Sequence, residues 1–175
     1  MAHSIELLLD DDSDAVIRAQ WQALEEAGVP SQRRVQSDTN RPHVTLIAAQ
    51  RIAPGVDDAL RALAGRFPLA CPVGAPLVFG GPRLTLARLI VASADLLALH
   101  EQVYRLSLPH LAGEPFAHCR PGHWTPHVTL GRRFTAEQIG VAMAVVNADG
   151  ADLPAEATAL RRWDSDQRVD HLLVG

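Results

Sequence analysis

The sequence predicts a mixed fold of strands and helices arranged as two similar lobes, and three observations predict it. Segments of strand and helix periodicity alternate along 175 residues with no low-complexity linker between them. The pentapeptide Pro-His-Val-Thr-Leu occurs twice, at Pro42 to Leu46 and at Pro126 to Leu130. Each copy is followed by a helical pattern and then by a strand pair, which suggests an internal duplication related by an approximate two-fold axis. A hydrophobic content of 47% agrees with a globular chain.

In chain order, Ser4 to Asp10 reads as a strand through Ile5, Leu7 and Leu9. Asp12 or Ser13 can cap a helix whose apolar positions Val16, Ile17, Trp21 and Leu24 recur at helical spacing, with Gly28 as its left-handed terminator. A polar, turn-rich loop from Ser31 to Arg41 leads into the first motif strand. A second helix starts after Pro54-Gly55 and buries Leu60, Leu63 and Phe67. Two strands follow, Pro76 to Phe79 and Arg83 to Ala92, about a Gly80-Gly81-Pro82 turn. Ser93 caps a third helix with the stripe Leu96, Leu99, Val103 and Leu106. A long polar loop, Gly113 to Trp124, precedes the second motif strand. Thr135 to Gln138 matches a capping box for a fourth helix carrying Ile139, Met143 and Val146. Strands near Glu156 to Trp163 and Arg168 to Val174 close the chain.

Composition narrows the function. A net charge of −4 argues against general nucleic-acid binding, which needs many cations to displace counterions from phosphates. All sixteen basic residues are arginine, each able to grip phosphate with a planar fork. No apolar run approaches the ~18 residues of a spanning helix, and Met1-Ala2-His3-Ser4 lacks the basic start of a secretory signal. The expectation is a cytoplasmic chain without a membrane partner. Cys71 and Cys119 are read as reduced thiols.

In an extended strand His43 and Thr45 share one face and Val44 and Leu46 the other, and His127, Thr129, Val128 and Leu130 repeat the arrangement. Each copy thus presents an imidazole and a hydroxyl over an apolar anchor. Imidazole has a reference pKa near 6.5, so one copy can accept a proton while its partner donates one. Phosphodiester cleavage requires both transfers, on opposite sides of an in-line geometry. Threonine hydroxyls suit the non-bridging phosphate oxygens.

With Arg41 before the first copy and Gly131-Arg132 after the second, the motif pair resembles the two signatures of the 2H phosphoesterase superfamily, specifically its 2′-5′ RNA ligase-like branch. The resemblance implies an α+β fold spanning residues 1–175 as a single domain of two lobes, with motif strands at 42–50 and 126–134. Antiparallel sheets then line a central groove and helices pack outside. It also implies a metal-independent 2′,3′-cyclic phosphodiesterase acting on an RNA end or a small cyclic nucleotide, with ligase activity as a secondary or reverse reaction. No cofactor and no metal are expected, and the chain is taken as a monomer. Members of this branch often follow the first motif with an aromatic residue, whereas Ile47, Ala48 and Ala49 stand here.

The expected catalytic residues are therefore His43, Thr45, His127 and Thr129, with His127 preferred as base and His43 as acid, an order that reverses with substrate orientation. Substrate binding falls to Arg132 by resemblance or to Arg133 by strict strand alternation. Trp124, three residues before His127, either stacks on a base or packs against the groove wall. Trp21 and Trp163 are read as core, and Arg161-Arg162 as a solvated face. A zinc site from His118, Cys119, His123 and His127 is disfavoured, because Pro121 and Pro126 prevent helical ligand spacing. Two other readings stand beside the enzyme: a groove that binds a nucleotide or RNA end without turning it over, and a cyclic phosphodiesterase for a non-RNA metabolite.

Overall fold

Ile5, Leu7 and Leu9 alternate with Ser4, Glu6 and Leu8, so the first strand has one wholly apolar face. In the computed structural model of the protein, which describes residues 2–146 and 152–175, it is β1 (His3–Leu9). Helix α1 (Asp11–Glu26) follows without a loop. Its cap is Asp10, upstream of the two expected candidates: the carboxylate accepts from the Ser13 N–H at 2.9 Å and from the Ser13 hydroxyl at 2.8 Å. Ile17, Trp21 and Leu24 are buried while Val16 faces out, and Gly28 ends the helix at φ 74°.

The first motif strand is β2 (His43–Ala49), followed by the short β3 (Arg51–Ile52). The expected second helix is only α2 (Asp57–Arg61), flanked by 3-10 turns, although Leu60 and Leu63 are buried as anticipated. Next come β4 (Leu69–Ala70) and a hairpin of β5 (Val73–Phe79) and β6 (Leu84–Ile90). Helix α3 (Ala94–Ser107) starts at Ser93, whose hydroxyl accepts from the Leu96 N–H at 3.1 Å. The chain continues through β7 (Leu111–Ala112), the second motif strand β8 (His127–Phe134), α4 (Ala136–Val146), β9 (Glu156–Asp164) and β10 (Val169–Val174). The capping box of α4 is reciprocal, with Thr135 N–H to Gln138 Oε1 at 3.0 Å and Gln138 N–H to Thr135 Oγ1 at 3.3 Å.

The fold is α+β. Among the described residues eight strands form one antiparallel sheet in the order β10-β9-β1-β2-β8-β6-β5, with β4 on the edge of β9, while β3 and β7 pair separately. The two halves of the large sheet meet at one residue pair, Val44 with Val128. The hairpin after the first motif strand joins the second, through β6 on β8, and the closing hairpin returns to the first half, through β9 on β1. This exchange places the two motif strands side by side at the centre.

Ile5, Leu7, Val44, Leu46, Val128, Leu130 and Leu160 supply the buried apolar face. Trp21 of α1 lies in this core, its indole N–H donating to the Thr129 carbonyl at 3.0 Å. Arg162 reaches from β9 into the interior and makes a two-pronged pair with Asp57 of α2, at 2.7 and 2.9 Å. Arg161 points the other way, as neighbours in a strand must. Both arginines are buried, so the expectation of a solvated face is corrected. No helix among the described residues is long and apolar enough to cross a membrane.

Candidate active site

Because Val44 and Val128 pair in an antiparallel bridge, the register on either side sets His43 across from Thr129 and Thr45 across from His127. All four polar side chains leave the sheet on the face opposite the core and line one groove of about 760 Å³, together with Arg132 and Trp124. The apolar face of the same strands is buried completely at Val44, Leu46, Val128 and Leu130.

Both imidazoles are held in the same way. His43 Nδ1 sits 2.7 Å from the Arg41 carbonyl, and His127 Nδ1 sits 2.7 Å from the Thr125 carbonyl. Each acceptor precedes the proline of its motif, and proline drives the residue before it into extended backbone, so both copies present the carbonyl alike. With Nδ1 as donor, Nε2 of each ring has no hydrogen-bond partner among the described residues: it is an acceptor when the ring is neutral, a donor when it is charged.

The two rings differ in their surroundings. Burial pushes His127 below the ordinary imidazole range; its bond to the Thr125 carbonyl opposes this, while the charges of Arg132, His43 and His118 add to it. The Phe79 ring lies 4.6 Å from it, tilted by 60°. Beside His43 stands a buried carboxylate instead, Glu6 Oε1 at 3.7 Å from Nε2. Glu6 also accepts from the Ser4 hydroxyl at 2.5 Å and from Arg161 at 2.8 Å. Burial raises its pKa, but the charges of His43 and Arg161 and these hydrogen bonds outweigh that and hold it below the ordinary carboxylate value of 4.5.

A bulge chooses between the two arginines. Against β6, the partners run Ala87 with Thr129 and then Leu86 with Gly131, which leaves Leu130 as the extra residue and reverses the alternation. Arg132 therefore takes the groove face. A second irregularity falls at Arg133, at φ 68° and outside the groove lining, so strict alternation assigned the wrong face to it. Gly131, beside the first bulge, leaves no room for a side chain: a Cβ there would lie 2.6 Å from the Pro30 carbonyl and 2.8 Å from the Phe134 ring. Gly131→Ala is expected to lower stability by about 1 to 3 kcal/mol, read from a urea midpoint.

Trp124 lines the groove, but it is tied down. One face stacks on His100, 4.0 Å between centroids at 3°, and its indole N–H donates to the Thr45 carbonyl at 2.9 Å. His100 is buried beneath it, with Nε2 within 3.1 Å of the Leu46 carbonyl and 3.0 Å of the Cys119 carbonyl. Trp163, expected in the core, is half-buried and lines the groove.

Sequence reasoning passed over Glu6 and Phe79, weighed His118 and His123 only as zinc ligands and took Trp163 for core, yet all five line the groove. Glu6 did leave a signal, a single acid inside an otherwise apolar strand. Phe79 left none, since an aromatic residue at a strand end is ordinary. Cys71 and Cys119 are free and buried, and burial pushes the Cys71 thiol up to about 12. Among the described residues one group of metal-type donors clusters, His3, Asp164 and Asp166. Nε2 of His3 lies 3.4 Å from Asp164 and 3.1 Å from Asp166, which ties β1 to the β9–β10 turn.

Comparison with known proteins adds a family. The family model described as the 2′-5′ RNA ligase superfamily matches residues 12–168. Among solved structures, Usb1 from Kluyveromyces marxianus with uridine monophosphate is similar at a TM-score of 0.53 and 13% identity, over 98% of this chain and 96% of that one. The same Usb1 without the nucleotide is similar at 0.52 and 13%, over 98% and 97%. At these identities the likeness is one of fold. No curated protein sequence matches the chain.

Proposed function

This chain belongs to the 2′-5′ RNA ligase superfamily of 2H phosphoesterases, and on that footing we propose that it hydrolyses 2′,3′-cyclic phosphates of RNA ends or small nucleotides without a metal ion. The observation that carries the reading is that both imidazoles, each with Nδ1 fixed and Nε2 outside any hydrogen bond among the described residues, line one groove with two threonine hydroxyls and a guanidinium. The neighbouring fold that holds uridine monophosphate supports a nucleotide as the ligand class.

The cyclic phosphate sits between Thr45 and Thr129, whose hydroxyls donate to its non-bridging oxygens, and Arg132 neutralises the charge that builds there. His127 Nε2 takes a proton from water as the water oxygen attacks phosphorus. The opposite P–O bond breaks, and His43 Nε2–H gives its proton to the departing ribose oxygen, leaving a phosphomonoester and a free hydroxyl. The roles follow the surroundings of the rings. Burial and Arg132 favour neutral His127, as a base requires. The Glu6 carboxylate stands beside the ring that must donate.

The pH dependence follows from the sign of the His127 shift. A base works only when unprotonated, so kcat/KM rises with pH through the His127 pKa, and the midpoint of that rising limb is expected below 6.5. In Arg132→Gln one of the causes that lower this pKa is gone, and the limb moves to higher pH.

The reading is tested on a panel of 2′,3′-cyclic nucleotides and 2′-5′-linked oligonucleotides, with and without EDTA. Turnover that survives chelation supports it. Binding with no product makes the groove a nucleotide-binding module instead, and activity abolished by EDTA removes the two-histidine chemistry.

A further inference from the structure

The groove does not end at His43. A second cavity of about 340 Å³ adjoins it and shares Glu6, Gln32, His43 and Trp163 with it. We infer that Trp163 and Gln32 form a nucleobase subsite at this junction, on the His43 side of the phosphate position. The placement of the phosphate rests on the function proposed above; the binding of a base does not.

Four aromatic side chains other than histidine line the main groove, and they are not equivalent. Phe79 packs against His127, Trp124 is stacked on His100, and the Phe116 ring lies 5.9 Å from His118. The Trp163 side chain has neither a ring partner nor a hydrogen bond among the described residues, and it lines both cavities, where a planar ligand can reach it. The register explains the space in front of it. On the β1 side Trp163 pairs with Ser4, and Ser4 pairs with Ala48, so that side of the indole holds small side chains, while Asp170 of β10 lies on the other.

Most polar groups of the second cavity are already committed. Asn40 donates to the Gln32 and Val35 carbonyls, and Arg161 is shared among Glu6, the Thr39 carbonyl and Asp170. The side-chain amide of Gln32 has no partner among the described residues. It offers both a donor and an acceptor, which suits the edge of any base and selects none. The class of ligand is therefore a nucleoside phosphate, with stacking rather than edge reading as the main attraction.

The test compares 3′-AMP with base-free 1-O-methylribose 3-phosphate by calorimetry, on the wild type, Trp163→Ala and Trp163→Phe. The wild type should prefer 3′-AMP, and Trp163→Ala should reduce that preference by roughly 5- to 150-fold, with Trp163→Phe retaining most of it. An unchanged preference in Trp163→Ala overturns the inference, as does equal weakening of both probes. A second measurement needs no altered fold: in 5-fluorotryptophan-labelled wild type, assigned with Trp163→Phe, 3′-AMP should move the Trp163 resonance more than those of Trp21 and Trp124. A static Trp163 signal also overturns it. Turnover of 2′,3′-cyclic AMP is scored separately, so a groove that stacks a base without cleaving the ester sinks the enzyme and leaves the subsite, and the reverse result does the opposite.

Discussion

His43→Ala and His127→Ala are each expected to lower kcat on a 2′,3′-cyclic nucleotide by about 10² to 10⁴, with ligand affinity and melting temperature nearly unchanged. Each ring makes one hydrogen bond to the backbone two residues before it, on a polar face away from the core, so little folding energy is at stake. Asparagine separates holding from chemistry. Its side-chain amide can reach the carbonyl that Nδ1 now contacts, but it has no atom at the Nε2 position. His43→Asn and His127→Asn should therefore lose as much activity as the alanine variants. The double variant should lose little more than either single one, because an acid and a base that serve one displacement act as a unit. Undiminished turnover in either single variant removes the pair from the mechanism.

Asp57→Ala should reduce folding stability by about 3 to 5 kcal/mol, roughly 6 to 20 °C in melting temperature for a chain of this size. Arg162 is only 2% exposed, and Asp57 holds it through both prongs, at 2.7 and 2.9 Å. Once Asp57 is gone, Asp164 Oδ2 at 3.9 Å is too distant to replace it. Neither residue lines the groove, so enzyme that remains folded should keep its kcat. Replacing both partners with apolar residues, as in Asp57→Leu with Arg162→Met, should recover much of the loss, because no unpaired charge is left inside. A thermal melt of the single and double variants checks both statements.

What was legible in the sequence was what depends on near neighbours. Periodicity located most strands and helices, and local hydrogen-bond chemistry placed Ser93 and the Thr135–Gln138 box correctly. Helix α1 shows the margin of such reading, since three acids and a serine in a row offer several caps and the backbone used the first. Arg133 shows where it fails: alternation holds only while the ladder is regular, and one extra residue opposite Leu86 and Ala87 reversed it. Arg161 and Arg162 were misread for a related reason. Two adjacent charges look like a surface, and the buried carboxylates that hold them, Glu6 and Asp57, lie 155 and 105 residues away in the chain.

The sequence by itself determined which polar groups the two motif strands carry, because a repeated Pro-His-Val-Thr-Leu sets the imidazole, the hydroxyl and the apolar anchor within one strand, where spacing is covalent. Tertiary structure alone decided that the two strands share a single bridge at Val44 and Val128, that Glu6 stands by one histidine and Arg132 by the other, and that Trp124 is stacked on His100 while Trp163 lines the groove. Those relations join residues far apart in the chain, and they exist only once the sheet is assembled and its register, bulges included, has been set.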